Sequence, residues 1–298
     1  MVAPPVIFDR KAVSRHRTRA ARMADATSVL LARNRDQLLD RLLDVKRTFS
    51  SALSLGCRTG LTAEHLKTKR GIATVIAADY AEPFARQASQ SGHLAVTCDE
   101  EWIPFWTDAF DLIIAEHTLH WTNDLPGALI QLSRCLQSDG LFLCSLFGGS
   151  TLHELRDAFV TAESALLGGV TPRVSPFVDV RDAGDLLMRA GLALPVADTD
   201  IIEMEYENLQ GLMSDLQHMG ETNAVKDRYP GLTTPRLFAA VEQAYREQHG
   251  TQDGKLKATF EIITLTGWAP SDTQQKALAP GSAKERLADA LGTEESNI

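Results

Sequence analysis

A glycine-bearing loop with the chemistry of a nucleotide cradle lies in the first quarter of the chain. Gly56 and Gly60 follow an apolar run, 52–55, and precede a helix-like segment, 61–69. Glycines let a backbone approach a ligand closely, and the first N–H groups of a helix have no partner within the helix. The spacing therefore predicts a loop that binds a nucleotide-like cofactor.

A carboxylate follows this loop at a distance that suits such a cofactor. Asp79 ends the apolar run 73–79, 23 residues after Gly56. An acidic group there can accept two hydrogen bonds from a ribose diol. The same group could instead cap the helix that starts near Glu82, and one carboxylate can serve both purposes.

Asp99 and Glu100 come directly after the next strand-like run. Open α/β sheets bind ligands at the carboxyl ends of their strands, so these carboxylates lie where an adenine amino group would be recognised. Ordinary loop charge is the alternative interpretation.

Three candidate catalytic side chains follow the fourth apolar run: His117, His120 and Trp121. They should face the mouth of a substrate pocket, although either histidine could instead be a packed or capping residue. We expect no metal site, because the chain has no His-x-x-x-His pair and its four cysteines show no Cys-x-x-Cys spacing.

Strand-like and helical segments alternate from residue 50 onward, which predicts an α/β fold with a parallel sheet and right-handed crossovers. Continuously apolar runs such as 112–115 predict strands that are covered on both faces. The strand-like runs are 51–55, 73–79, 94–98, 111–115 and 140–146, and the helical segments between them are about 61–69, 82–90 and 124–136. Helices at 151–166 and 179–190 should follow, then late strands at 201–206 and 258–267. The last residues, 270–298, are polar and resemble a disordered tail.

Bulk composition is that of a globular protein whose charge is unevenly distributed. The 298 residues carry a net charge of −9, yet residues 1–50 hold 11 basic and 5 acidic side chains. The Arg-rich stretch 10–22 could be a solvated helix face, a transit peptide or a surface for an acidic partner. No apolar run is long enough for a membrane helix, and the acidic remainder argues against nucleic acid as a partner.

The glycine loop, the acidic strand ends and the segment 110–115 occur in an order that resembles class I S-adenosylmethionine-dependent methyltransferases. The resemblance implies a Rossmann-like seven-stranded, mostly parallel sheet whose last strand is antiparallel, with S-adenosyl-L-methionine as the cofactor. Carried over position by position, it implies a cofactor-binding set of Gly56, Cys57, Arg58, Gly60, Asp79, Tyr80, Asp99, Glu100, Ala115 and Glu116.

Further motifs resemble one branch of this superfamily, the family of mitochondrial complex I assembly factor 5 and its bacterial homologues, often labelled BioC-like methyltransferases. These motifs are Ile7–Arg10, Cys98–Glu101, Leu119–Pro126, Phe147–Arg156, Ser175–Phe177 and Asp215–Asn223. The resemblance implies action on a protein or acyl substrate and a link to respiratory complex I assembly. Arginine hydroxylation of a complex I subunit and a non-catalytic assembly role are the alternatives that it leaves open.

Two positions depart from the family pattern. Ser54 stands where the family usually has aspartate, and Arg58 stands where it usually has glycine. A non-glycine residue in a left-handed conformation costs about 1–2 kcal/mol, and a guanidinium near a sulfonium is repelled unless it pairs with the carboxylate of the cofactor. We therefore expect weakened or altered cofactor binding.

The resulting domain prediction is N-terminal helices over 1–47, a methyltransferase-like domain over 48–269 with a helical lid insertion near 151–190, and the tail 270–298. We expect a bacterial cytoplasmic protein, or a mitochondrial matrix protein if the source is eukaryotic, without a transmembrane segment. Any association with a membrane would then be peripheral and would depend on the partner.

Overall fold

The computed structural model describes residues 5–23 and 28–274 and contains one seven-stranded sheet. The strands are β1 (Ser51–Leu55), β2 (Thr74–Asp79), β3 (Leu94–Thr97), β4 (Phe110–Glu116), β5 (Leu136–Phe147), β6 (Ala193–Tyr206) and β7 (Leu256–Trp268). Their order is β3-β2-β1-β4-β5-β7-β6, and β7 runs antiparallel to both of its neighbours. The predicted α/β fold with an antiparallel last strand is confirmed.

Helices surround this sheet. They are α1 (Arg10–Ala21), α2 (Val29–Arg41), α3 (Leu61–Thr68), α4 (Glu82–Gln90), α5 (Leu125–Cys135), α6 (His153–Leu167), α7 (Val180–Arg189), α8 (Leu209–Met219) and α9 (Pro235–His249), with a short 3-10 turn at Leu119–Trp121. None of them is long and apolar enough to cross a membrane, as far as the described residues show.

The continuous apolar strands predicted for the centre of the sheet are buried on both faces. In β4 every residue is buried, and alternate side chains enter different cores: Ile113 packs in one cluster, and Leu112 and Ile114 in another. Successive side chains of a strand point to opposite faces, so the centre of a doubly covered strand is apolar on both faces, as in 112–115. This burial fixes the central strands that carry the candidate site.

The two N-terminal helices lie against the sheet and a separate helical layer. Asp9 caps α1 by accepting the N–H of Ala12, and α1 packs against α4 and α8. Helix α2 packs near β5, where the Asn34 amide donates to Ser145 Oγ at 2.7 Å. Helix α1 is thus packed between two other helices, and α2 is packed on the sheet.

Within the segment 151–190 the two helices have different surroundings. Helix α6 packs on α9 and β7, whereas α7 packs against the main sheet beside α5. The late strands are longer than their apolar patterns predicted, because β6 and β7 pair along almost their whole length. Most of the predicted tail, from residue 275 onward, lies outside the described residues.

Candidate active site

The ends of β1, β2 and β4 meet at one edge of the sheet and form a cleft. Gly56 adopts a φ of +73°, and a Cβ there would overlap the carbonyl oxygen of Glu116 and the side chain of Thr118. Only glycine fits at this position, because the loop after β1 lies directly on the end of β4.

A cavity of about 90 Å³ lies beside the loop. Glu116 borders it, is buried, and accepts a hydrogen bond from Thr62 Oγ1 at 2.5 Å. Burial raises the pKa of Glu116, and the hydrogen bond from Thr62 opposes that rise. The structure thus brings five predicted site residues around one cavity: Gly56, Cys57, Arg58, Glu116 and His117.

Asp79 lies at the end of β2 as predicted, but a guanidinium already occupies its carboxylate. Arg17 of α1 donates from Nε to Oδ1 at 3.2 Å and from Nη2 to Oδ2 at 2.6 Å. The N–H groups of Ala81 and Arg58 bind the same two oxygens at 2.9 and 3.0 Å. Both side chains of the ion pair are completely buried, so the carboxylate has no free position for a ribose.

The second acidic pair is also engaged by α1. Arg10 Nη2 binds Asp99 Oδ1 at 2.7 Å and also contacts Glu100, whose other oxygen accepts from Thr118. The guanidinium carbon lies 4.1 Å from the centre of the Tyr80 ring. The predicted adenine region is therefore covered by an arginine that stacks on Tyr80.

The cleft consequently has two unlike halves. The half next to Gly56 and Glu116 contains a cavity, as the methionine part of S-adenosylmethionine would require. The half that should hold the nucleoside is filled by the guanidinium groups of Arg10 and Arg17. In this conformation the nucleoside half of the cleft is closed, because Arg10 and Arg17 occupy the carboxylates that would bind a nucleoside.

Sequence reasoning did not identify Arg17 as part of the site. Helix α1 buries Ala12, Val13, Arg17, Ala20 and Ala21, which recur at helical spacing. The missed signal is a single arginine at a core position of an otherwise small and apolar helix face. The Arg-rich stretch is thus not uniformly solvated.

Arg58 has the left-handed conformation that the glycine loop requires, with a φ of 48°. Its guanidinium donates to the carbonyl of Met219 at 2.7 Å and to Glu221 Oε1 at 2.9 Å. Burial lowers the pKa of Arg58, with Arg17 contributing, although Glu221 opposes the change. In this conformation Arg58 binds the end of α8 and is not available to the carboxylate of a cofactor.

Glu221 is a second site residue that the sequence did not single out, although it lies within the family-like motif Asp215–Asn223. Its Oε2 is 2.9 Å from His120 Nε2 and accepts from Trp121 Nε1 at 2.8 Å. Burial alone would raise the pKa of Glu221, but His120 and the guanidinium groups of Arg58 and Arg17 lower it to about 2. One buried carboxylate therefore joins the glycine loop to two of the three candidate catalytic residues.

His117, the third candidate, is placed differently. It is buried, its φ is 41°, and its ring lies 4.7 Å from that of Phe147. Neither ring nitrogen has a hydrogen-bond partner among residues 5–23 and 28–274. Burial lowers its pKa to about 3, with His120 contributing. His117 is thus a neutral imidazole at the cavity edge, with two nitrogens that no described group engages.

We expect the buried His117 to make folding stability depend on pH. Its pKa is about 3 in the folded protein against 6.5 for an unperturbed histidine. Between these values the unfolded chain binds an extra proton, so stability falls by up to about 1.4 kcal/mol per unit as pH decreases. His117→Phe should remove that contribution in denaturant titrations from pH 6 to 4. His153→Gln, at an exposed position, should leave the slope unchanged, and an unchanged slope in His117→Phe would contradict the expectation.

Among the described residues, no group of three or more histidine, cysteine or acidic side chains is arranged to hold a metal ion. The four cysteines are free and buried. Two predicted cofactor residues remain. Ala115 is buried in the core near the end of β4. Gly60 is the N-cap residue of α3 and has a φ of +87°.

Comparison with known proteins agrees with this architecture. A family profile described as a methyltransferase domain matches residues 53–144. The zebrafish (Danio rerio) protein named arginine-hydroxylase NDUFAF5, mitochondrial, is 37% identical over 95% of this chain and 89% of its own length. A malonyl-[acyl-carrier protein] O-methyltransferase of Halorhodospira halophila is 32% identical over 93% of this chain and 94% of its own.

The solved structure of YcgJ from Bacillus subtilis superposes with a TM-score of 0.55 at 15% sequence identity. The match covers 79% of this chain and 99% of the YcgJ chain. At this identity the similarity supports the fold alone. The two sequence relatives, by contrast, extend over nearly the whole chain. The chain therefore belongs to the class I methyltransferase superfamily, in the family that includes the NDUFAF5 arginine-hydroxylases and the malonyl-[acyl-carrier protein] O-methyltransferases.

Proposed function

We propose that the chain is a S-adenosylmethionine-binding enzyme of this family that acts on a protein or acyl substrate and takes part in respiratory complex I assembly. The observation that carries the proposal is the cavity between Gly56 and Glu116, with the carboxylates of Asp79 and Asp99 at the neighbouring strand ends. These are the groups that the cofactor of the superfamily requires at the carboxyl edge of such a sheet.

Cofactor binding then requires the arginines of α1 to leave the nucleoside half. Gly56, Cys57 and Glu116 would surround the methionine part, and Asp79 would exchange the guanidinium of Arg17 for the ribose hydroxyls. The bound cofactor would supply a transferable methyl group. His117 lines the cavity, and the ring of His120 lies 6.2 Å from that of His117, so an acceptor would approach from their side. Methyl transfer needs little beyond the alignment of acceptor and donor.

Two alternatives are each favoured by one observation. Identity to the arginine-hydroxylases, 37–38% over at least 93% of the chain for the zebrafish and human proteins, favours hydroxylation of an arginine in a complex I subunit. The occupation of Asp79 by Arg17 favours an assembly chaperone that retains the fold without turnover.

Mass spectrometry of complex I subunits from a deletion strain separates these functions. Loss of one methylene mass from a subunit or acyl carrier supports methyl transfer. Loss of one oxygen mass from an arginine supports hydroxylation, and unchanged masses with loss of the assembled complex support a chaperone. Complementation with an Asp79→Asn variant is judged together with its denaturant unfolding, because the substitution also leaves the buried Arg17 without its charge partner. Failure to complement with the fold retained would show that the cofactor site is needed.

The protein partner in this proposal is a complex I subunit. We accordingly propose a location in the bacterial cytoplasm, or in the mitochondrial matrix for a eukaryotic source. Any contact with the membrane would be made through the partner.

A further inference from the structure

Two tryptophans protrude from the loop between β3 and β4. Trp102 is 77% exposed and Trp106 is 87% exposed, and Pro104 between them is also exposed. Large aromatic side chains contribute strongly to binding when a partner buries them. We call Trp102, Pro104 and Trp106 the tryptophan strip.

The strip is held outward by the alternate residues of the same loop. Ile103 and Phe105 pack against the main core, and Phe105 meets Phe110 edge-to-face at 5.2 Å. The N–H of Ile103 binds the side chain of Gln131 at 3.1 Å. Because inward and outward side chains alternate in extended backbone, anchoring of Ile103 and Phe105 forces the strip toward solvent.

The backbone around the strip is also fixed at both ends. The N–H of Trp102 binds the carbonyl of Asp99 at 3.0 Å, and that of Asp108 binds the carbonyl of Arg134 at 3.0 Å. The surface is therefore preorganised, and binding a partner to it would cost little ordering of the loop.

The strip lies in a part of the chain that contains aspartate and glutamate but neither lysine nor arginine. Between Arg86 and Arg134 the sequence has no lysine or arginine. The acidic residues of that stretch are Asp99, Glu100, Glu101, Asp108, Asp111, Glu116 and Asp124. Arg10 neutralises part of this charge at Asp99 and Glu100, whereas Asp108 beside the strip is exposed.

We propose that the tryptophan strip is the docking surface for a basic, extended segment of a polypeptide partner. Arginine and lysine side chains stack on indole faces and are attracted by carboxylates, here Glu101 and Asp108 of the same loop. In extended backbone the ends of the strip are about 13 Å apart, which matches every fourth residue of an extended partner. This inference deepens the proposed function, because it names the chemistry of the partner presented to the cleft.

The strip is close enough to the cleft to serve that purpose. Trp102 directly follows the acidic pair at the end of β3, and Asp99 and Trp102 form an isolated bridge. Glu101 contacts the N–H of Asn123, just after Trp121 of the candidate site. A segment bound to the strip would therefore pass the open edge of the sheet where the candidate catalytic residues lie.

Isothermal titration of the full chain with three short peptides tests the proposal: one with arginine at every second position, and matched lysine and glutamate peptides. We expect the arginine or lysine peptide to bind, with an affinity that falls as salt is added. The Trp102→Ala/Trp106→Ala variant should bind at least ten-fold more weakly, and Trp102→Phe/Trp106→Phe should recover part of the loss. Leu232→Ala, at another apolar side chain that is 94% exposed, is the matched control.

Absence of binding by the basic peptides, equal binding by the double alanine variant, or preference for the glutamate peptide would each overturn the proposal. So would tryptophan-dependent binding to phosphatidylglycerol vesicles in place of the peptides, because it would assign the strip to a membrane. The affinity for S-adenosylhomocysteine, measured on the same variants, is expected to be unchanged. Failure of that cofactor titration in the parent chain would count against the proposed function and not against the strip.

Discussion

Replacing Arg17 with methionine is expected to lower the stability of the ligand-free protein and to tighten its binding of S-adenosylhomocysteine. Removing one partner of a buried ion pair costs about 3–5 kcal/mol, because the other charge stays buried. Asp79 would keep only the N–H groups of Ala81 and Arg58. The cofactor would no longer compete with a guanidinium for that carboxylate, so we expect at least about ten-fold higher affinity.

The measurements are denaturant unfolding without ligand and calorimetric titration with S-adenosylhomocysteine. Arg15→Met is the matched control, since Arg15 is on the same helix, is 70% exposed and lies 3.9 Å from its nearest carboxylate. It should change neither quantity appreciably. Weaker binding by Arg17→Met would contradict competition and would mean that Arg17 helps to hold the ligand.

Replacing Glu221 with glutamine is expected to cost about 3 kcal/mol of folding stability at pH 7. The carboxylate faces Arg58 and the ring of His120, and it also accepts the indole N–H of Trp121. A neutral amide keeps the size of the side chain but removes the charge that these donors require. The glycine loop and the two candidate catalytic side chains should therefore be held less firmly, and cofactor affinity should fall as well.

The pH dependence makes the prediction specific. The pKa of Glu221 is lowered from 4.5 to about 2 in the folded protein. A carboxylate with a lowered pKa stabilises the fold above its unfolded value and loses that contribution as the pH falls through the folded one. The difference between parent and Glu221→Gln should thus shrink as the pH falls from about 5 toward 2.

Glu205→Gln provides the control, because Glu205 is an exposed strand residue 3.8 Å from Lys255. Its effect should be close to zero at every pH. A pH-independent loss in Glu221→Gln would instead point to altered packing at that position and would count against the charge-based explanation.

Much of the fold was predictable because its signals are local. The alternation of apolar runs with helical segments predicted the parallel core, and continuous apolarity in 112–115 predicted a strand covered on both faces. The full extent of β6 and β7 was not predictable, because their pairing compensates for a mixed side-chain pattern. Helix positions were also close.

The sequence predicted which site residues lie at the strand ends. It did not predict which side chains form ion pairs with them. Asp79, Asp99 and Glu100 are at the positions that the sequence indicated, and Arg58 has the expected left-handed conformation. Their ion pairs with Arg17, Arg10 and Glu221 join residues between 62 and 163 positions apart. No local spacing encodes such contacts.

The sequence alone places a glycine loop and strand-end carboxylates at one edge of an α/β sheet, because strand period and chain direction require it. What those carboxylates bind depends on the tertiary structure. Helix α1 folds back over the nucleoside half, and a buried charge must be paired, so Arg17 and Arg10 occupy the acceptors that the motifs assigned to a cofactor. Tertiary packing also makes Glu221 join the glycine loop to His120 and Trp121. Glu221 follows the end of α8 and lies 101 and 100 positions after these two residues in the sequence.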